Sequence, residues 1–335
     1  MQNKINQYYL MNINSVKLPV AVFLFVFVIL TAVQLILNSP PLLLLERFVD
    51  GGGWIEIIII SFYGAFIAYK MQNPKNSPKW RRLSWTLFSI VFFSQMIIGL
   101  LGAGNFLMTG KLHLPVPLMI ISGPLYRGHL SVMTILFLST VILTGPAWCS
   151  QLCYFGVWDN ILSDKSATTK PIKNKAAIKT TGLLIVIIMT LLLRFLQVPL
   201  KIATLLAIAF GLGGIAVIIF ISRKKGYMAH CLLYCPIGTI VNYLKLLNPF
   251  RIYIDKDCTM CMRCTTVCKY DALNLIDLKN RKPGPTCTYC GDCISACKDN
   301  YIRYRFFNLH PETARKLYLF LTVSIHAVFL ALARI

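Results

Sequence analysis

The residues able to do chemistry concentrate in one stretch, Cys258 to Cys297. It reads CTMCMRCTTVC, an 18-residue spacer, then CTYCGDCISAC, so the spacing CxxCxxCxxxC occurs twice. A cubane iron–sulfur cluster needs four soft, anionic sulfur donors at tetrahedral corners. A tight CxxCxxC loop supplies three, and the fourth arrives from elsewhere. Zinc sites normally use paired CxxC motifs, not triplets followed by a fourth cysteine. A disulfide framework demands an oxidising compartment, which the topology below argues against. The eight cysteines therefore read as ligands of two [4Fe–4S] clusters.

The elements that must carry this stretch are mostly membrane. At 335 residues with 56% hydrophobic and 14% charged side chains, the chain is too apolar for an ordinary soluble enzyme and too long for a lone ferredoxin. Apolar runs of the ~20 residues that cross a bilayer core lie at 18–37, 53–69, 84–103, 129–146, 181–199, 202–222 and 317–333. The first ends in Asn38-Ser39-Pro40-Pro41 with no small-residue cleavage site, so it reads as a retained helix and not a signal peptide. With the N-terminus inside, only Arg47, Lys111, Arg127, Arg194, Lys201 and Arg334 of the 34 Lys and Arg residues fall outside. Five of the inside ones lie from Lys70 to Arg82 and another five from Lys165 to Lys179. Cationic loops resist translocation, so this asymmetry predicts an inner-membrane, multi-pass protein with its N-terminus and clusters on the cytoplasmic side. It also accounts for the net charge of +22. The charges are not clustered with base-stacking aromatics, so membrane lipid is an expected partner and nucleic acid is not. Residues 111–128, interrupted by Pro115, Pro117 and Pro124, read as an outer interfacial or re-entrant cap. Such a cap either roofs a quinone pocket or serves packing alone.

The remaining four cysteines form an internal repeat. AWCSQLCYFGVWDNIL at Ala147 to Leu162 matches AHCLLYCPIGTIVNYL at Ala229 to Leu244 in Ala, both Cys, Gly, Asn and Leu. Both copies fall at the cytoplasmic ends of spans. On an α-helix, CxxxC places two thiols one turn apart on one face. Cys149, Cys153, Cys231 and Cys235 are thus two claws, able to meet as four ligands to a further metal or to act as thiol pairs. Buried, inert cysteines are the alternative reading. Recurrence in one local frame favours the functional one.

The 258–297 stretch closely resembles the bacterial two-cluster ferredoxin arrangement, in which the fourth cysteine of each run serves the other cluster. Carried over, the resemblance implies Cys258, Cys261, Cys264 and Cys297 on one cluster and Cys287, Cys290, Cys293 and Cys268 on the second. Lys269 and Lys298 stand where proline usually follows the fourth cysteine. Over about residues 80–310, the paired CxxxC motifs, one continuing as Cys235-Pro236-Ile237-Gly238, with several spans and a double ferredoxin module, resemble NapH/NosR-type membrane ferredoxin-like proteins. MauN, a ferredoxin-type protein of methylamine utilisation, is similar. NapH is the nearer match, because no sizeable flavin domain precedes the first span. Tyr154, in place of the proline of the CP version, and the C-terminal span depart from the pattern. The resemblance implies electron transfer between the quinol pool and a reductase or dehydrogenase system of anaerobic respiration.

Among other polar groups in the spans, Arg194, with Gln197 three residues on, reads as a functional charge or, in preference, as an arginine snorkelling to the outer interface. Glu56 and His129 lie near the outer face, where a quinol would need proton acceptors. His326 lacks a partner at helical spacing and reads as a packed or hydrogen-bonded residue, not a haem ligand. His113, His230 and His310 have no assigned role. The expectation is an all-α polytopic membrane protein with a small α+β two-cluster domain: six helices in 1–249, the ferredoxin-like domain in 250–310, and a last helix in 311–335. Its expected partners are the quinol pool and a redox protein. The competing functions are copper reduction or disulfide chemistry at the CxxxC pairs, and iron–sulfur sensing or assembly.

Overall fold

The fold is that of a computed structural model describing residues 2–37, 41–106, 116–164 and 172–332, with side chains from Val16 onward. His113, residues 111–115 of the expected cap, Ser39-Pro40 and loop residues 165–171 lie outside the described residues. Among those described, seven helices are long and apolar enough to cross a membrane: Val16–Ile36, Gly52–Gln72, Ser77–Leu100, Val132–Leu152, Lys175–Phe195, Leu200–Lys225 and Pro311–Leu332. They match the seven expected runs. The third begins seven residues earlier than its apolar run, because Pro78 starts the helix in its first turn and Lys79, Arg81 and Arg82 continue it.

Two compact units emerge, Met1–His113 with His310–Ile335, and Leu114–Leu309. The first contains α1 (Gln2–Ile36), α2 (Gly52–Met71), α3 (Ser77–Leu100) and, from the far end of the chain, α14 (Pro311–Leu332). Leu18, Val22, Val26 and Leu30 pack with Ile57, Ile67, Val323, Ala327 and Ala331. In lipid, helix association rests on close van der Waals contact, so small residues matter at crossings. A Cβ at Gly64 would stand 3.2 Å from both Ala327 and Val22. His326 is buried, and its Nε2 lies 3.0 Å from the Tyr63 hydroxyl. Arg315 donates to the carbonyls of Met71 and Gln72 at the C-terminus of α2, where a cation meets the negative end of the helix. Glu56 accepts from Leu45 N–H at 2.9 Å.

The second unit begins with α4 (Met119–Arg127), the described part of the expected cap, closed by Gly128 at φ 81°. Arg194 is exposed and donates to Leu125 O at 3.2 Å. His129 precedes α5 (Val132–Thr144), which Ser131 caps by accepting from Thr134 N–H. Next come α6 (Gly156–Ser163), α7 (Lys175–Phe195), and α8 (Leu200–Ala216) with its short extension α9 (Arg223–Lys225), then α10 (Pro236–Leu244). Gln197 lies beyond α7 at φ 49°. The small α+β part follows: β1 (Phe250–Ile254), α11 (Arg263–Val267), α12 (Leu275–Lys279), α13 (Asp292–Ala296) and β2 (Ile302–Phe306). The strands pair antiparallel from Phe250↔Phe306 to Ile254↔Ile302. Alternation turns Phe250, Ile252, Ile254, Ile302 and Tyr304 inward.

Candidate iron–sulfur sites

Each cysteine run builds the same local structure. Met260 and Met262 in the first loop, and Tyr289 and Gly291 in the second, adopt positive φ at matching positions, between 54° and 82°. Consecutive turns of this kind curl the backbone so that N–H groups point into the concavity, where they favour anionic sulfur. A short helix then follows, α11 or α13, carrying Cys264 or Cys293 near its start. Cys268 and Cys297 leave these helices in extended conformation, at ψ 90° and 111°. Because α11 and α13 pack on each other, each fourth cysteine is delivered to the other loop.

Two cavities result. Cys258, Cys261, Cys264 and Cys297 line one, with Met260, Leu278 and Ile302 among its walls. Cys268, Cys287, Cys290 and Cys293 line the other, with Ile252, Tyr270 and Leu273. This is the grouping that the two-cluster resemblance implies. The donor sets fit a cubane, four soft sulfurs around an apolar, partly closed space. A zinc site would need sulfurs about 3.8 Å apart, from Zn–S bonds of about 2.3 Å. Among the described residues no three Cys, His, Asp or Glu side chains gather to hold a single ion. Burial pushes the Cys268 thiol up to about 12, and burial with its three neighbouring cysteines pushes Cys264 up to about 11. Cluster binding at these positions must therefore displace protons. The first cavity opens to solvent at Cys261, whereas Cys264 and Cys293 are buried.

The lysines at the usual proline positions differ from each other. Lys298 is exposed. Lys269 Nζ pairs with Asp164 at 3.2 Å and donates to Ser163 O at the end of α6. It thereby ties the cluster region to the membrane part of the same unit. Lys175, at the start of α7, pairs with Asp271 at 2.9 Å and does the same.

The two CxxxC copies are not α-helical as expected. Both form π turns, Trp148–Leu152 and His230–Tyr234, closed by Cys153 N–H to Trp148 O and Cys235 N–H to His230 O at 2.9 and 2.8 Å. The extra residue per turn ends the helix at the second cysteine, which takes ψ 114° or 117°. The two thiols of each copy thus lie on different backbone conformations instead of one helix face. All four cysteines are at most 9% exposed. Burial, then Asp159, then the other three cysteines hold the Cys231 thiol well above its ordinary range. Asp159 of α6 reaches across to the second copy, accepting from Cys231 N–H at 2.9 Å. Its other carboxylate oxygen has no hydrogen-bond partner.

Sequence reasoning missed Asp159, although it marks a break in the repeat, standing where the second copy has Val241. It also missed Lys245, whose Nζ donates to the carbonyls of Pro285 and Cys287, and Tyr270, whose hydroxyl donates to Cys149 O at 2.9 Å. His230, inside the second copy, is buried and stacks on Phe155 of the first. Nothing in local spacing signals such long-range contacts.

A family model described as a 4Fe-4S binding domain matches residues 127–172. The match covers α5, the first π turn with Cys149 and Cys153, and α6, and does not reach the eight-cysteine stretch. No curated protein and no solved structure matches the chain. With the seven apolar helices and the ferredoxin-like domain, the match fits a membrane ferredoxin family and iron–sulfur electron transfer.

Proposed function

We propose that the chain carries single electrons between the membrane quinol pool and a redox partner protein. Cys258, Cys261, Cys264 and Cys297 hold one [4Fe–4S] cluster, and Cys268, Cys287, Cys290 and Cys293 hold the second. The observation that carries this reading is the pair of cavities, each lined by four cysteines drawn from both runs. When bound, the clusters supply one-electron redox chemistry. The chain's own residues tune them. The positive-φ loops aim N–H dipoles at sulfur, and Lys245 sets a cation against the Cys287 carbonyl. Charge and hydrogen bonds at the sulfurs raise a potential toward the quinol range. When bound, two one-electron clusters would match the two electrons that a quinol gives up. The positive-inside asymmetry of the loops supports an inner membrane with the clusters on the cytoplasmic side, and the exposed edge at Cys261 supports electron exchange with a partner there.

The test is anaerobic purification of the full chain in lipid discs, assay of iron and sulfide, and addition of menaquinol or ubiquinol while cluster absorbance is followed. Bleaching within seconds supports the quinol relay. Reduction by dithionite but not by either quinol refutes the quinol link.

A further inference from the structure

The two ferredoxin-type sites leave four buried cysteines without a task, and their surroundings are not those of inert thiols. Cys153 and Cys235 lead into the first turns of α6 and α10, where Gly156 N–H donates to Cys153 O at 3.1 Å and the backbone N–H groups of Phe155 and Gly156, and of Ile237 and Gly238, act electrostatically on the respective sulfurs. The same two residue offsets recur in both copies, and both sets of donors belong to the N-terminal turns of α6 and α10. Such N–H groups favour a thiolate. Two buried lysines stand by: Lys179, which donates to Gly238 O at 3.4 Å, and Lys245. Four thiolates around an iron–sulfur core of charge +2 leave a net charge of −2, and the Asp159 carboxylate on Cys231 adds one more, of which these two cations offset two. A single-ion site is not formed among the described residues, and the family match to a 4Fe-4S binding domain falls on the first copy.

The first copy also abuts the second ferredoxin cavity. Tyr270, two residues from Cys268, donates to Cys149 O, and Ser150 Oγ donates to Thr288 O, next to Cys287. Gly145 takes φ 64°, and a Cβ there would stand 3.3 Å from the Tyr289 ring. The end of α5 therefore rests directly on the Cys287–Cys293 loop.

From these observations we infer that Cys149, Cys153, Cys231 and Cys235 together ligate a third iron–sulfur cluster, set between the two π turns and in series with the second ferredoxin-type site. Ligand exchange with a preassembled thiolate-ligated cluster forms four cysteine–iron bonds, breaks the four bonds to the incoming thiolates, and passes the four cysteine protons to those departing thiolates. The place in series rests on the proposed relay, whereas the site itself does not.

The experiment counts metal in the full chain in anaerobic lipid discs, with mass spectrometry for iron, zinc and copper, and low-temperature EPR during stepwise reduction. Two cubanes account for about eight iron per chain, and a third cubane brings about twelve. Substituting Cys149, Cys153, Cys231 and Cys235 together by serine should lower iron by about one third and leave the EPR of the two interacting ferredoxin clusters. Wild-type protein with only about eight iron overturns the inference whether or not the variant folds, as does zinc or copper bound in place of the extra iron. The double variant Cys261→Ser/Cys290→Ser separates the two readings, because it removes ferredoxin iron while the four-cysteine set keeps its own. Loss of only that iron class would leave the third site standing even if the relay failed.

Discussion

Replacing Gly291 by alanine should selectively loosen the second ferredoxin site. Gly291 adopts φ 82°, and a Cβ there would stand 2.9 Å from the Tyr304 hydroxyl, which donates to Tyr289 O at 2.6 Å. A non-glycine residue in the left-handed region costs about 1–2 kcal/mol. Displacing the Tyr304 hydroxyl forfeits a hydrogen bond of about 1 kcal/mol. Reduced freedom of the unfolded chain returns up to about 1 kcal/mol. The net of about 2 kcal/mol corresponds to about 30-fold more of the opened loop, and chelator-driven iron loss tracks that population when reclosing is fast. The assay is iron release to an excess chelator, with EPR identifying which cluster goes first. Met262 occupies the matching position in the first loop at φ 61° and already carries a Cβ. Met262→Ala should therefore leave release within about twofold. Equal release from wild type and Gly291→Ala would refute the strain argument.

Cys261→Ser and Cys290→Ser should each remove about half of the ferredoxin-type iron and lower the stability of the small domain, read as iron per chain and thermal midpoint. Unchanged iron in both would defeat the ligand assignment. Lys269→Ala loses the Asp164 ion pair and the Ser163 contact, and should cost about 1–2 kcal/mol of second-unit stability in a denaturant titration. A null effect would mean the tie to α6 is not structural. Tyr63→Phe removes one interhelical hydrogen bond to His326 and should cost about 0.6 kcal/mol, the usual scale in membranes. A loss of several kcal/mol would show that the pair does more than join α2 to α14.

The spans were legible because a bilayer demands a fixed length of apolar chain, and the grouping of the eight cysteines around two cavities because CxxCxxCxxxC has few other chemical uses. Helix starts were less so. Ser77 begins α3 seven residues before its apolar run, since helix propensity and a proline in the first turn, and not hydropathy, set that boundary. The CxxxC geometry was misread, because spacing alone cannot distinguish an i→i+4 ladder from the i→i+5 closures at Cys153 and Cys235. Asp159 was hidden for a different reason. Its partner, Cys231, lies in the other copy of the repeat, and single-sequence patterning carries no pairing information across that distance.

The first unit's interior is shared between α1, α2 and α14, helices made at opposite ends of synthesis. A ribosome that has released α1 to α3 has not yet produced Val323, Ala327 or Ala331, so the small-residue face at Gly64 waits without its partner while everything from Leu114 to Leu309 is translated. The second unit is therefore fully translated before the first can be completed. A chain interrupted before Pro311 would leave the Gly64 face bare, a mark by which membrane quality control could sort unfinished molecules from finished ones.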